Sequence, residues 1–207
     1  MQFNKAHSHD AFAIANLHKI GIPTGFLSKQ SIDFLESLYL YLIKYEIVYV
    51  AKESSKIIAF ITVSVNTTNL YSKFLKSNYK LLIKFTLKNI FSIEFIKKAY
   101  ETLNAPKKTH IKEAPIELPE LLSIVVEDTY TKKGIGKKLL VHVEQELFSL
   151  NQKKYKVLVG ASLKANQFYK KNGFEIVKKV EIHKGALSYI YTKELTETHN
   201  GIKNNGI

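Results

Sequence analysis

Hydrophobic residues recur every three or four positions in the first part of the chain. Residues 10–20 show this spacing, with Asp10 placed to begin a helix, and glycine and proline break the pattern at residues 21–25. A second helix is predicted from Ser31, because apolar residues again repeat at helical intervals over residues 34–43. Residues 47–52 and 57–65 instead form short apolar runs, and the four residues between them suit an antiparallel hairpin.

Residues 66–119 differ from both of their flanks. Apolar residues recur at helical spacing over residues 70–103 among many lysines, whereas three prolines in residues 104–119 predict a loop. The segment is too apolar for a disordered linker. We therefore expect helices inserted between two strands of the core.

The rest of the chain alternates strands and helices. Strands are predicted over residues 121–126, 156–159, 175–181 and 187–193. Helices are predicted from Gly134 to about residue 150 and over residues 164–172, where Gly173 suits the helix end. Residues 196–207 are polar, and we expect a disordered tail. The pattern predicts one α/β domain over residues 1–195, with 66–119 as a helical insertion.

The composition narrows the chemistry. The 207 residues contain no cysteine, which excludes disulfides, cysteine-bound metals and a thiol nucleophile. All 31 basic residues are lysines, and the net charge is +13. Lysine attracts anions without reading base sequence, so we expect an anionic cofactor or substrate and no specific nucleic-acid partner. A lysine-biased coding sequence is the alternative explanation. The polar N-terminus lacks the apolar core of a signal peptide, so a cytoplasmic protein is expected.

A strand, a glycine loop and a helix follow one another around residue 134. Unpaired amides at such a helix start bind phosphate, and glycines let the backbone approach the anion. A dinucleotide site needs a third glycine where Leu139 stands, and a P-loop needs glycine where Thr131 stands. Both of those sites are excluded, whereas a phosphate site of another kind and a turn without a ligand stay open.

Two blocks of residues carry a family resemblance. The first is the strand over residues 120–126 with Lys133-Gly134-Ile135-Gly136 after it. The second follows about 30 residues later and runs from Phe168-Tyr169 to Gly173-Phe174. Together they resemble the GNAT acetyltransferase superfamily. The resemblance implies a mixed, mostly antiparallel central sheet flanked by helices, with the helical insertion between the third and fourth core strands.

The resemblance also implies an enzyme, an acyltransferase that moves an acetyl group from acetyl-CoA directly to a primary amine without a metal. The expected acceptor is a small molecule, with an amino-sugar nucleotide as the first candidate. A protein N-terminus or lysine side chain is an alternative acceptor, and a non-catalytic acyl-CoA-binding module is an alternative function. The insertion is expected to cover the acceptor pocket, to form a homodimer contact or to lie on an anionic membrane surface.

The resemblance further implies a set of cofactor-binding residues. They are the strand residues Ile124, Val125 and Val126, the loop residues Thr131, Lys132, Lys133, Gly134, Ile135, Gly136 and Lys137, and the later residues Ser162, Ala165, Phe168 and Lys171. The amide of Val126 would polarise the thioester carbonyl. Thr131 departs from the family, which usually has Gln or Arg there, so we expect it to weaken the site.

Two residues are expected to act in catalysis. Glu120 is the predicted general base, because several family members place a base at this point of the strand. Positions 120, 122, 124 and 126 are predicted to share one strand face, which would align Glu120 with the cofactor. Tyr169 matches the tyrosine of the family's Phe-Tyr pair, so the resemblance implies that it is the general acid, and a phenol with a pKa of about 10 is protonated at neutral pH. An exposed carboxylate and a packing aromatic residue are the respective alternatives.

Overall fold

The computed structural model describes residues 1–78, 117–183 and 186–196. Seven strands and five α-helices lie in these ranges. The strands are β1 (Gln2–Lys5), β2 (Ile47–Glu53), β3 (Lys56–Ser64), β4 (Glu120–Val126), β5 (Lys154–Gly160), β6 (Glu175–His183) and β7 (Ala186–Glu194). The helices are α1 (Ala11–Gly21), α2 (Ile32–Tyr45), α3 (Leu70–Ser77), α4 (Ile135–Ser149) and α5 (Ala165–Lys171).

One sheet contains all seven strands, in the order β1-β2-β3-β4-β5-β7-β6. Every neighbouring pair is antiparallel except β4 and β5, which are parallel. The predicted mixed, mostly antiparallel sheet with flanking helices is therefore confirmed. The parallel pair lies in the middle of the sheet, and the connection between its strands is helix α4.

The sheet separates two hydrophobic cores. Helices α1 and α2 pack on one face, where Leu35, Leu38 and Phe60 are almost fully buried. Helices α4 and α5 pack on the other face, where Leu139 and Tyr191 are equally buried. Burying apolar side chains on both faces is what stabilises a layered α/β domain.

Local signals fix where the helices begin. Helix α2 begins next to Ser31 as predicted, and the Ser31 hydroxyl caps it by accepting a hydrogen bond from the Phe34 amide at 3.2 Å. Asp10 precedes α1 as predicted, but its carboxylate accepts from the His7 amide and pairs with Lys52 at 2.6 Å. Asp10 therefore anchors the start of α1 to strand β2.

A β-bulge interrupts strand β4. Thr62 of β3 lies opposite Ser123, whereas the next residue, Val63, lies opposite Leu121, so Leu122 is an extra residue. Ser123 lies on the α2 side, where its hydroxyl is 3.5 Å from the Tyr39 hydroxyl. The bulge changes which side chains of β4 share a face.

The insertion does lie between the third and fourth core strands, since β3 ends at Ser64 and β4 begins at Glu120. Of its predicted helices, α3 is described. The predictions for residues 79–116 and for the tail beyond Thr196 lie outside the described residues, and so do the three roles considered for the insertion. No helix in the described ranges has the length and apolar character that crossing a membrane requires.

Candidate active site

An open cleft separates strands β4 and β5. The two strands pair only at Glu120 with Lys156 and at Leu121 with Val157, where β4 begins. Strand β5 is paired with β7 along the whole of its other edge. In the described structure, the remainder of β4 up to Val126 therefore has no strand partner on its β5 side.

The backbone of β4 directs polar groups into this cleft. The Glu127 amide donates to the Ile58 carbonyl of β3 at 2.8 Å. Val126 and its partner Ala59 are thus a non-hydrogen-bonded pair, whose N–H and C=O groups point away from the ladder between β3 and β4. Ile124, two residues earlier, has the same orientation. An extended ligand can pair with these groups as an added strand would.

Helix α4 begins at a glycine in the left-handed conformation, shortly after β4. Gly134 has a φ of +76°, a value that favours glycine, and a Cβ atom there would have open space around it. The Lys138 amide donates to the Gly134 carbonyl at 3.0 Å, as the first bond of the helix. The amides of residues 135–137 precede that bond and are the orphan donors of the helix. With the helix dipole, they form a geometry suited to phosphate.

Gly136 is required for a different reason. A Cβ atom on it would lie 3.1 Å from Cε2 of Phe168 and 3.7 Å from Cγ2 of Val126. Glycine lets the first turn of α4 approach both β4 and α5. Three residues that the sequence assigns to the cofactor, Val126, Gly136 and Phe168, are therefore brought together.

Lysines surround the glycine loop. Lys132, Lys133 and Lys137 are exposed, and the Lys133 ammonium lies 4.8 Å from the centre of the Tyr130 ring. Exposed cations of this kind raise the local concentration of anions. Thr131 has a different environment, because its hydroxyl donates to the Asp128 carbonyl at 2.8 Å. The Thr131 side chain is thus occupied within its own turn.

Tyr169 lies in the core beneath α4 and α5. Its side chain is 5% exposed, and its ring centre is 5.3 Å from that of Phe174 and 6.1 Å from that of Tyr191. Burial raises the pKa of the Tyr169 hydroxyl, so the group is protonated at neutral pH. The packing role is visible in these contacts, and proton donation by Tyr169 stays a prediction.

The connection between β5 and α5 is held by a residue that the sequence did not single out. Nδ2 of Asn166 donates to the carbonyls of Gly160 at 2.9 Å and Leu163 at 2.6 Å. The Tyr191 hydroxyl donates to Oδ1 of Asn166 at 2.8 Å. Asparagine side chains commonly bond to nearby backbone groups at turns and helix starts, so the position of Asn166 in the first turn of α5 could have indicated this role. The predicted contacts Ser162, Ala165 and Lys171 are exposed around this helix.

Glu120 lies on the opposite face of the sheet from the glycine loop. Ile124 and Val126 pack beneath α4, whereas Leu122 packs with α1 and α2, because the bulge shifts the alternation. Glu120 is on this second side, since its partner Ser64 follows Thr62 by two residues on β3. The prediction that residues 120, 122, 124 and 126 share one face is therefore wrong.

The surroundings of Glu120 are buried and charged. Its Oε2 lies 3.3 Å from Nζ of Lys156. Burial raises the pKa of the Glu120 carboxyl, and the Lys156 ammonium opposes that rise. The charge of Glu120 adds to the effect of burial in raising the pKa of Tyr71, on α3. A partly buried carboxylate with a raised pKa has the property that a general base needs.

A separate surface groove of 1180 Å³ lies between α1 and the turn that joins β2 to β3. Its walls include Val126 and Thr129, but neither Glu120 nor Tyr169. This groove adjoins the end of β4 but is distinct from the cleft between β4 and β5. Within the described chain, no three His, Asp or Glu side chains are grouped to hold a metal ion.

Known proteins share this fold. Residues 110–195 match the family model of the acetyltransferase (GNAT) domain. No curated protein matches the chain in sequence. The PaiA N-acetyltransferase of Thermoplasma acidophilum, solved with coenzyme A, is 16% identical with a TM-score of 0.56, over 93% of this chain and 98% of that one. The ribosomal-protein-S18-alanine N-acetyltransferase of Escherichia coli is 13% identical with a TM-score of 0.58, over 94% of each chain. Aminoglycoside 6′-acetyltransferase type Ii is 15% identical with a TM-score of 0.59, over 95% of this chain and 98% of that one.

At these identities, the solved structures establish the fold. The open β4 edge and the glycine-started helix α4 both lie within the residues that match the acetyltransferase domain model. Residues 110–195 thus match the GNAT acetyltransferase domain, and the described fold is the one that these GNAT structures share.

Proposed function

We propose that this protein is an N-acetyltransferase that moves an acetyl group from acetyl-CoA directly to a primary amine. One observation carries the proposal, namely the unpaired edge of β4 that ends beside the first turn of α4. An extended, amide-containing arm and a pyrophosphate are the two features of coenzyme A that such a surface fits. The arm would pair with Ile124 and Val126, and the amides of residues 135–137 would hold the pyrophosphate.

The residues around the cleft fit the donor. Open space around Gly134 leaves the backbone of the loop accessible at that residue, and the lack of a side chain at Gly136 lets the first turn of α4 lie close to Val126 and Phe168. Lys132, Lys133 and Lys137 would neutralise phosphate charge from solvent. Phe168 would contact the donor where it passes the first turn of α4. We assign the lesser contacts to Val125, Thr131, Ser162, Ala165 and Lys171.

The proposed chemistry divides between two faces of the sheet. Acetyl-CoA supplies the acetyl group as a thioester. The Val126 amide would donate to the thioester carbonyl, an interaction that typically contributes about 2.7–4 kcal/mol to transition-state stabilisation. Glu120, on the α1 side, would accept the proton of the acceptor ammonium so that the neutral amine attacks. Tyr169, on the α4 side, would return a proton to the departing thiolate.

The acceptor follows less directly from the fold. Two structural neighbours are named for a ribosomal-protein alanine and for an aminoglycoside, so similar folds serve both protein and small-molecule acceptors. We propose a small-molecule amine, with an amino-sugar nucleotide as the first candidate. The net charge of +13 supports an anionic acceptor, since lysines attract such molecules at long range.

Thermal unfolding and thiol release test the proposal together. Acetyl-CoA should raise the melting temperature more than ATP at the same concentration, since ATP is a polyanion without the pantetheine arm. Thiol release is then measured with an amino-sugar nucleotide, the matching free amino sugar, a peptide with a free N-terminus and a lysine peptide.

Turnover with the sugar nucleotide alone is the expected result. Preference for a peptide would make a protein the acceptor. Stabilisation without turnover on any amine would leave an acyl-CoA-binding module. Equal stabilisation by ATP and acetyl-CoA would refute the coenzyme A site.

A further inference from the structure

An ion pair lies where the cleft closes. Glu120 and Lys156 are register partners across the parallel strands, and only one further pair follows before β4 and β5 separate. Oε2 of Glu120 and Nζ of Lys156 are 3.3 Å apart, and the two side chains are 20% and 13% exposed. The pair thus occupies the apex of the cleft, largely withdrawn from solvent.

Lys156 and Glu120 also share a face of the sheet. Tyr155 and Val157, on either side of Lys156, are buried beneath α4, so Lys156 points towards the α1 side. Glu120 points to that side too, as a consequence of the bulge at Leu122. Without the bulge, Glu120 would lie on the same face of the sheet as Ile124 and Val126.

Among the described residues, groups from three elements face Glu120. Ser64 of β3 is its register partner, Tyr71 of α3 interacts with its charge, and Lys156 of β5 contributes the ammonium. Burial favours the neutral carboxylic acid, and a nearby cation favours the carboxylate. Within the described residues, Lys156 is the cation in contact with Glu120, and so it opposes the effect of burial.

We propose that Lys156 is a positioning residue for acetyl transfer, which fixes the Glu120 carboxylate at the apex of the cleft and keeps it ionised until the acceptor amine arrives. This inference rests on the proposed function, in which Glu120 is the base. The contact engages Oε2, and a carboxylate has a second oxygen that can receive a proton. In the transfer step, the acceptor ammonium loses a proton and Glu120 gains it, while Lys156 takes no part in the proton transfer.

A purely structural role for Lys156 makes a different prediction. If the ion pair only fastened β5 to β4, its loss would reduce activity by the same factor at every pH. If Lys156 keeps Glu120 ionised, the activity lost on removing Lys156 should depend on pH. The Glu120 carboxyl would then take up a proton at higher pH than in the wild type.

The experiment compares Lys156→Met, Lys156→Gln and Lys156→Arg with the wild type. The pH dependence of kcat is measured with one saturating amine, so ionisation of the amine contributes equally to every protein. We expect the acidic limb to move up by about one pH unit in the Met and Gln variants, as removal of a neighbouring opposite charge does. Lys156→Arg should restore the wild-type limb, and affinity for acetyl-CoA should stay the same.

A matched control lies two residues away on the same face of β5. Lys154 pairs with Glu194 at 3.5 Å, at a more exposed position away from the cleft. Lys154→Met should leave the acidic limb unchanged. A limb that does not move in Lys156→Met, or that moves equally in Lys154→Met, would overturn the proposal.

A carbon-13 NMR titration of the Glu120 carboxyl gives a reading without turnover. Glu120→Gln identifies the signal, and the midpoint should rise in Lys156→Met and Lys156→Gln. An unchanged midpoint in either variant would contradict the proposal even if that variant is inactive. If the proposed function itself is wrong, the wild type will acetylate no amine, which distinguishes that outcome from a failure of the Lys156 proposal.

Discussion

The two edges of strand β4 differ in how they are used. Towards β3, six register pairs run from Ala59–Val126 to Ser64–Glu120 and form a nearly complete antiparallel ladder. Towards β5, two pairs form, and within the described residues the amides of Ile124 and Val126 have no strand partner on that side. One edge therefore secures the strand within the sheet, and the other keeps hydrogen-bonding groups for a ligand. The hydrogen bonds to β3 hold β4 in place, so the backbone groups on its other edge are fixed in position before a ligand binds.

The largest expected effect comes from the closed end of the cleft. Glu120→Gln should lower kcat by about 10²–10⁴-fold, because the acceptor ammonium would lose its base. Affinity for acetyl-CoA should not change, since the open edge of β4 is untouched. Steady-state kinetics and calorimetry measure the two effects separately. Glu127→Gln is the control, as Glu127 pairs with Lys56 at 2.7 Å outside the cleft. Retention of full activity by Glu120→Gln would remove Glu120 from the mechanism.

A smaller loss is expected on the other face of the sheet. Tyr169→Phe should reduce kcat by about 10²-fold, because the ring is kept and only the proton donor is removed. The melting temperature should change little, since the contacts with Phe174 and Tyr191 involve the ring. An unchanged kcat would make Tyr169 a packing residue alone.

Crowding the open end of the cleft should weaken binding of the donor. Gly136→Ala places a methyl group 3.1 Å from the ring of Phe168, so that ring or the first turn of α4 must shift by a few tenths of an ångström. Overpacking of this kind costs roughly 1–3 kcal/mol, which corresponds to at least about fivefold weaker binding if it acts on the site. Calorimetry with acetyl-CoA measures the change. Phe168→Leu in the same chain should relieve part of the loss, and an additive loss would contradict this account of Gly136.

The smallest effect is expected at the beginning of the glycine loop. Thr131→Gln introduces the residue that the family usually carries, whereas the Thr131 hydroxyl is bonded to the Asp128 carbonyl. One added hydrogen bond of about 1 kcal/mol would tighten acetyl-CoA binding by roughly fivefold. Thr131→Ala serves as the control and should bind like the wild type. Equal affinity of all three proteins would show that position 131 does not limit binding.

Most of the fold could be predicted because its signals are local. Helical spacing and the Ser31 cap fixed α2, and the glycines at 134 and 173 marked the start of α4 and the end of α5. Strand β1 was missed because Phe3 is its one apolar residue and the strand lies at the edge of the sheet. Such a strand has neither an alternating pattern nor a buried face to reveal it.

The site was harder to predict where it depends on register. In β4 every residue from Leu121 to Val126 is apolar except Ser123, so the sequence does not reveal the bulge at Leu122. That one residue decides that Glu120 and Val126 face opposite sides of the sheet. The partner of Glu120 was equally hidden, because Lys156 becomes its neighbour only through the parallel pairing with β5.

Residue-resolved amide hydrogen exchange along β4, with and without acetyl-CoA, tests the central claim most directly. The amides of Ile124 and Val126 should exchange faster than that of Val125 in the free protein, because Val125 lies in a hydrogen-bonded pair with Phe60. Acetyl-CoA should slow exchange at Val126 strongly and leave Val125 unchanged. Binding of acetyl-CoA with no added protection at Ile124 or Val126 would contradict the assignment of the open β4 edge to the donor.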